Sequence, residues 1–152
     1  MQLTSFTDYA LRVLIYLARA PEPGLATISE IAGHFQVSRA HLVKVAHKLA
    51  SAGFVESSRG KGGGMRLARP ANAIGIGEVV RVTEPNMNLV ECFDGKTNQC
   101  IIVRGCQLKA ILYESRHAFM ATLDKYTLAD AASTGAPMVG GVPVKPDRGH
   151  HR

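Results

Sequence analysis

Cys92, Cys100 and Cys106 are the residues of this chain whose type and spacing invite chemistry. They fall in one short stretch, separated by seven and five residues. Thiolates are soft ligands suited to zinc or iron–sulfur centres, and a tetrahedral or cubane site ordinarily takes a fourth donor. The spacing matches neither the paired cysteines of zinc ribbons nor the tight run of ferredoxins. By itself it leaves zinc, a cluster and an unmetallated thiol loop open. An odd number of cysteines without an export signal argues against a disulfide framework and for metal or redox chemistry. No paired carboxylates, no nucleophile beside a base and no cofactor loop stand out, so an enzyme is not expected.

The elements that position these thiols are a loop over residues 86 to 105, rich in Asn and Gly, and the helical pattern that it opens onto. From Cys106 this pattern runs through Leu108, Ile111, Leu112, Ser115, Phe119, Leu123 and Tyr126. Such a stripe needs a partner. Its copy in a second subunit is the simplest one, because symmetric dimers are the commonest assemblies; packing onto its own domain is the alternative.

Upstream, a first helix is expected over Thr4 to Arg19, burying Leu11, Leu14, Ile15 and Ala18. Pro21, Pro23 and Gly24 break it, and Thr27 or Ser29 caps a short second helix through Ile28, Ile31, Ala32 and Phe35. Gln36 and Val37 form a turn. Ser38 then caps a third helix that turns Leu42, Val45, Ala46 and Leu49 to one side and Arg39, His41, Lys44, His47 and Lys48 to the rest. Short helix, tight turn and basic amphipathic helix read as a helix-turn-helix, with Ser38, Arg39, His41, Lys44 and Lys48 as candidate DNA contacts. After Gly53 an alternating strand, the run Arg59-Gly60-Lys61-Gly62-Gly63-Gly64 and a second strand ending at Pro70 read as a hairpin wing, with Arg59, Lys61 and Arg66 for phosphates. A nucleotide phosphate loop is not expected there, because Met65 and Arg66 stand where it needs Lys and Ser or Thr. A further short helix over Ile74 to Thr83 ends at Glu84-Pro85.

The fold class expected is mainly α with a small β-hairpin wing, a winged helix-turn-helix plus a long dimerisation helix. Residues 1–85 form the DNA-binding part, 86–130 the cysteine loop and dimerisation helix, and 131–152, where Gly, Pro, Ser and small residues dominate, a disordered tail. The net charge of the 152 residues is +6, and residues 1 to 70 hold nine Lys or Arg against four acids. The basicity thus sits with the expected DNA reader, and the partner is double-stranded DNA. No apolar run is long enough to span a bilayer and no signal peptide leads the chain, so the expected place is the cytoplasm, with no membrane partner.

The ordered strings MQLTSFTDYALRVLIYLA, VSRAHLVKVAHKLASAGFVESSRGKGGGMRLARP, IGEVVRVTEP and LDKYTLAD, with the cysteine loop between the last two, resemble the nitric-oxide-sensitive repressors of the Rrf2 family over residues 1 to 130. The resemblance implies a homodimer whose cysteines ligate an iron–sulfur cluster, 4Fe-4S in preference to 2Fe-2S. It further implies repression at palindromic operator DNA until nitric oxide nitrosylates the cluster. Sibling iron–sulfur regulators place a histidine three residues after the last cysteine, where this chain has Lys109. The resemblance points instead to Asp8, reaching the cluster of the other subunit, as the fourth ligand. An aspartate in a first helical turn also complements the macrodipole and can enter a cap with Ser5, which needs no metal. His34, His41, His47 and His117 are further possible donors. The rival readings are a regulator of the same fold that senses iron–sulfur supply or redox state, a zinc-stabilised regulator, and an iron–sulfur electron carrier, which would need no recognition helix.

Overall fold

A computed structural model describes residues 2–20, 25–58, 60, 62–133, 138–139 and 142–143. Three helices come first: α1 (Ser5–Arg19), α2 (Ile28–Phe35) and α3 (Arg39–Ser51). A hairpin of β1 (Val55–Ser58) and β2 (Gly64–Leu67) follows, then α4 (Ile76–Thr83), α5 (Gln107–Leu123) and α6 (Leu128–Ala132). A last antiparallel pair joins β3 (Met138–Val139) to β4 (Val142–Pro143).

Each of the first elements follows from local chemistry. Thr4 ends the chain's extended entry by accepting from the backbone N–H of Thr7, and α1 buries Ala10, Val13, Leu14 and Leu17 on one face. Thr27 and Glu30 form a reciprocal capping box at the start of α2. The bonds that Thr27 donates, first from its backbone and then from its hydroxyl, hold the Glu30 carboxyl below the usual range. Gln36 closes α2 in the left-handed region at φ 53°, which makes the tight turn before α3. Ser38 occupies the N-cap position of α3, but its side chain makes no capping bond, contrary to the cap expected from its type.

The core gathers Leu14, Ile31, Leu42, Val45, Leu49 and Phe54 between these helices and the hairpin. Val55 pairs with Leu67 and Ser58 with Gly64 in the antiparallel register. The chain before α2 adds a single antiparallel bridge on the other side of β2, with Ala26 and Met65 exchanging backbone hydrogen bonds of 3.0 and 2.8 Å. Gly64 makes that approach possible, since a Cβ there would stand 2.9 Å from the Ala26 carbonyl oxygen.

Three boundaries differ from expectation. α4 starts at Ile76, because Ile74 is extended and fully buried, and its carbonyl accepts from the Leu128 N–H at 2.7 Å. α5 ends at Leu123, so Tyr126 does not continue its stripe. Thr127 and Asp130 form a second capping box that starts α6 instead, and α6 returns to α1 with Leu128 fully buried. That helix runs to Ala132, past the expected start of the tail at Ala131, and the Arg19 guanidinium donates to the Ala132 carbonyl at 2.8 Å. Most of the remaining tail lies outside the described residues.

α5 leans on the rest of the subunit chiefly through its last turns, where Met120 is its only buried residue. A cleft of about 630 Å³ separates it from the loop after α4, between Leu3, Met87 and Leu89 on one side and Leu112 and Phe119 on the other. Leu108 and Ile111, in its first turns, are 61% and 57% exposed.

Candidate nucleic-acid interface and thiol centre

The outer face of α3 is basic because the helix has only one apolar side to bury. Leu42, Val45, Ala46 and Leu49 take that side, which leaves Arg39, His41, Lys44, His47 and Lys48 exposed with no acid among them. Arg39 donates from Nε to the Ser29 hydroxyl at 3.2 Å, tying the first residue of α3 to α2. The His41 ring lies nearly parallel to Tyr9 of α1 at 6.4 Å. Lys48 stands at the far end, in a shallow cleft with Phe6 and Arg81, away from the leading turn where Ser38, Arg39 and His41 cluster. Among the described residues Arg39, Lys44 and Lys48 enter no ion pair, so their charge is free for an anion.

On the wing, Arg66 pairs across the hairpin with Glu56. Gly60 and Gly62 sit at φ 104° and 81°, conformations that side chains rarely adopt, which explains the glycine density of the turn. Arg59 and Lys61 lie outside the described residues.

The thiols occupy three distinct local settings. Cys92 lies in a single helical turn, Glu91–Phe93; Cys100 lies in the loop, its N–H donating to Asn98 Oδ1 at 3.0 Å; Cys106 is the N-cap residue of α5. All three are free and half-buried. Among the described residues, no three His, Cys, Asp or Glu side chains of this one chain meet as a ready-made metal pocket. The donor set nevertheless suits a soft metal centre, and the positive end of the α5 macrodipole at Cys106 favours an anionic one.

Asp8 is on the first turn of α1, where its carboxylate takes both Nε and Nη2 of Arg12, at 3.0 and 2.8 Å. The expected cap with Ser5 does not form: Thr4 is the N-cap, Thr7 its partner, and Asp8 contributes only its backbone N–H to the Thr4 carbonyl. His34 packs edge-on against Tyr16 at 5.0 Å, and His117 lies 6.3 Å from the Tyr113 ring. Lys109 shares a shallow cavity of about 360 Å³ with Cys106 and Tyr113, so no histidine stands at that place.

Sequence reasoning missed two features, one at each end of what α5 touches. Arg81 of α4 grips Asp124 at the end of α5, and Phe93, Tyr113 and Arg116 stack between the loop and α5. Tyr113 and Arg116, three apart on α5, are neighbours by helical spacing, but no period or motif signals that Phe93 joins them or that Arg81 meets Asp124.

A basic helix behind a tight turn, followed by a glycine-linked hairpin, makes this a winged helix-turn-helix regulator of transcription. The chain belongs to the Rrf2 family, described as "Iron-dependent Transcriptional regulator", with a match over residues 3–134. It is similar to the HTH-type transcriptional regulator NsrR of Bacillus subtilis (strain 168), 52% identical over 131 residues, which cover 86% of this chain and 89% of the relative. It is also similar to the regulator of the same name from Halalkalibacterium halodurans, 42% identical over 146 residues and covering 96% and 100%. Among solved structures, CymR, the global cysteine regulator of B. subtilis, superimposes with a TM-score of 0.72 at 28% identity, over 87% of this chain and 96% of its own. The relatives are regulators rather than enzymes, in keeping with the lack of catalytic machinery expected from the sequence. No helix of the described residues is long and apolar enough to cross a membrane.

Proposed function

We propose that the protein is a homodimeric repressor that binds palindromic operator DNA and releases it when nitric oxide reacts at an iron–sulfur cluster on Cys92, Cys100 and Cys106. The observation that carries this reading is the placement of three free thiols on one loop and the N-cap of α5, in a chain half identical to a curated NsrR. When bound, the cluster supplies iron sites open to nitric oxide, and 4Fe-4S is the form preferred over 2Fe-2S.

The chain's own residues divide the work. The three thiolates tie the loop to the start of α5, and Asp8 of the other subunit is the fourth donor, for which it leaves Arg12. The bare Leu108 and Ile111 of α5 fit the same helix of a second subunit, which would bury them and place two α3 helices about one DNA turn apart. Ser38, Arg39 and His41 at the start of α3 meet bases or phosphates at the groove; Lys44 and Lys48 further along α3, and Arg59, Lys61 and Arg66 of the wing, meet phosphates. Freeing the thiols loosens the loop and α5, and α5 passes the change to α4 through Asp124 and Arg81. A coupling of about 2 kcal/mol would change DNA affinity by roughly thirtyfold.

A second reading, a regulator that senses iron–sulfur supply or redox state, is favoured by the family description "Iron-dependent". Lys109 counts against its histidine-ligated form. One experiment separates the two: absorbance of protein purified without oxygen, titrated with nitric oxide while operator binding is followed at fixed salt. Visible absorption that changes as DNA is released supports the sensor. Coloured protein that keeps its DNA under nitric oxide but loses it on iron chelation supports the second reading, and colourless protein that binds regardless defeats both.

A further inference from the structure

The segment that carries Cys92 and Cys100 has little regular structure, with one helical turn at Glu91–Phe93 its only such element among the described residues. A segment of this kind holds thiols in register only where side chains fasten it. Two fasteners are present. The first is internal: the Glu91 carboxylate accepts from the backbone N–H of Gln99 at 2.9 Å, joining the neighbours of Cys92 and Cys100. The second reaches the helix. Phe93, next to Cys92, lies on Tyr113 of α5 with ring centroids 4.3 Å apart and planes at 39°. The Arg116 guanidinium sits over both rings, 5.1 Å from the centre of Phe93 and 4.4 Å from that of Tyr113. Tyr113 follows Cys106 by two helical turns, about 10 Å along the axis, and the two residues line one shallow cavity.

We infer that Phe93, Tyr113 and Arg116 are positioning residues of the thiol centre, setting Cys92, and through the Glu91–Gln99 bond Cys100, at a fixed place relative to Cys106. Metal and cluster ligands need placement within about 0.5 Å, and residues outside the ligand set supply it. Two rings sharing one cation make such an anchor directional: a planar guanidinium lies against aromatic rings in a preferred orientation, which a compact ammonium does not supply equally well. The inference rests on the thiol centre proposed above but concerns its geometry rather than its signal.

The test uses the full chain, purified without oxygen and free of metal, titrated with cobalt(II). Thiolate-to-cobalt charge-transfer absorption reports how many thiols gather around one ion. Phe93→Ala and Tyr113→Ala should weaken cobalt binding by about tenfold or more and shift that absorption, whereas Tyr113→Phe, which keeps the ring, should stay within about twofold of the parent. Arg116→Lys should fall between the parent and Arg116→Ala. Melting curves of the same metal-free proteins separate positioning from folding: a variant that melts like the parent yet binds cobalt weakly supports the role. Should Tyr113→Ala not fold, Phe93→Leu, which keeps apolar volume without a ring, is read in its place. A variant without the stack that binds cobalt as tightly as the parent, with an unmoved spectrum, overturns the inference, as does a parent that binds no cobalt through its thiols. A parent that gathers cobalt through its thiols and loses it in the variants, yet ignores nitric oxide when loaded with iron and sulfide, sinks the sensor reading and supports the positioning role.

Discussion

Arg81, on α4, holds both carboxylate oxygens of Asp124, at the end of the long α5, with bonds of 2.7 and 2.6 Å. The pair raises the guanidinium and lowers the carboxyl from their ordinary ranges, hydrogen bonding being the larger cause in each. It also depends on a glycine. Gly77 lies under Asp124 so closely that a Cβ there would collide with Oδ1 and come within 3.2 Å of the Arg81 guanidinium. Beside this clamp the chain makes two backbone bonds, Ile76 N–H to the Tyr126 carbonyl and Leu128 N–H to the Ile74 carbonyl. The end of α5 is thereby fixed to the winged part, and a change in the pose of α5 has a defined point of entry.

Gly77→Ala should reveal the clamp by an effect on stability that depends on Asp124. Inside a helix, replacing glycine by alanine ordinarily stabilises by about 0.5 to 1 kcal/mol. In the parent the added methyl displaces Asp124 and cancels that gain; in an Asp124→Ala background the gain returns. Urea denaturation of the four proteins of this cycle measures it, and additive effects would show that Gly77 and Asp124 do not interact.

Acid should destabilise the fold through named carboxylates. Asp124 is lowered chiefly by Arg81, and Glu30 and Asp130 chiefly by the backbone N–H groups of Thr27 and Thr127. A carboxyl whose folded value lies below its unfolded one contributes stability that is full above the unfolded value and lost as pH falls through the folded one. Denaturation midpoints should therefore drop below the ordinary carboxylate range, and Arg81→Gln should make that drop shallower. An identical pH profile for Arg81→Gln would remove Asp124 from the account. At the positions exposed to solvent, added salt should shrink the Arg81 effect.

Lys44→Ala should weaken operator binding without touching stability, since its side chain is exposed and enters no ion pair among the described residues. As a phosphate contact its loss lowers the slope of log affinity against log salt by about 1, whatever the DNA sequence. Unfolding should stay within about 0.5 kcal/mol of the parent. Fluorescence anisotropy over a salt series provides the slope; an unchanged slope would place Lys44 outside the DNA interface.

Asp8→Ala removes a solvent-exposed pair with Arg12 spaced four apart on a helix, worth about 0.3 to 0.5 kcal/mol. Its effect on stability should be small. Its effect on the visible spectrum of the loaded protein, or on the rate of reaction with nitric oxide, should be large if the carboxylate is the fourth ligand. Asp8→Ala protein with the parent's spectrum and rate would return Asp8 to its helical pair.

The two capping devices show how far local chemistry reached. Thr27, three residues before Glu30, announces the start of α2, and the box forms. Thr127 and Asp130 have the same spacing and also form one, yet the apolar stripe through Leu123 and Tyr126 masked it, so one helix was expected where two stand. Leu128 was passed over for the same reason, although it is fully buried.

The sequence by itself determined whatever depends on neighbours along the chain: the amphipathic helices, the turn at Gln36, the glycines of the wing, the basic face of α3 and the three cysteines before α5. Periodicity, caps and backbone conformation are properties of a few consecutive residues, and they are legible there. Only the tertiary structure decided that α6 folds back to bury Leu128 against the core and that Phe93 and Arg116 meet on Tyr113. It likewise decided that Arg81 finds Asp124 across 43 residues. Ion pairs and ring contacts between separate elements form by proximity in space, which no spacing records, and their partners become neighbours only after the elements have packed.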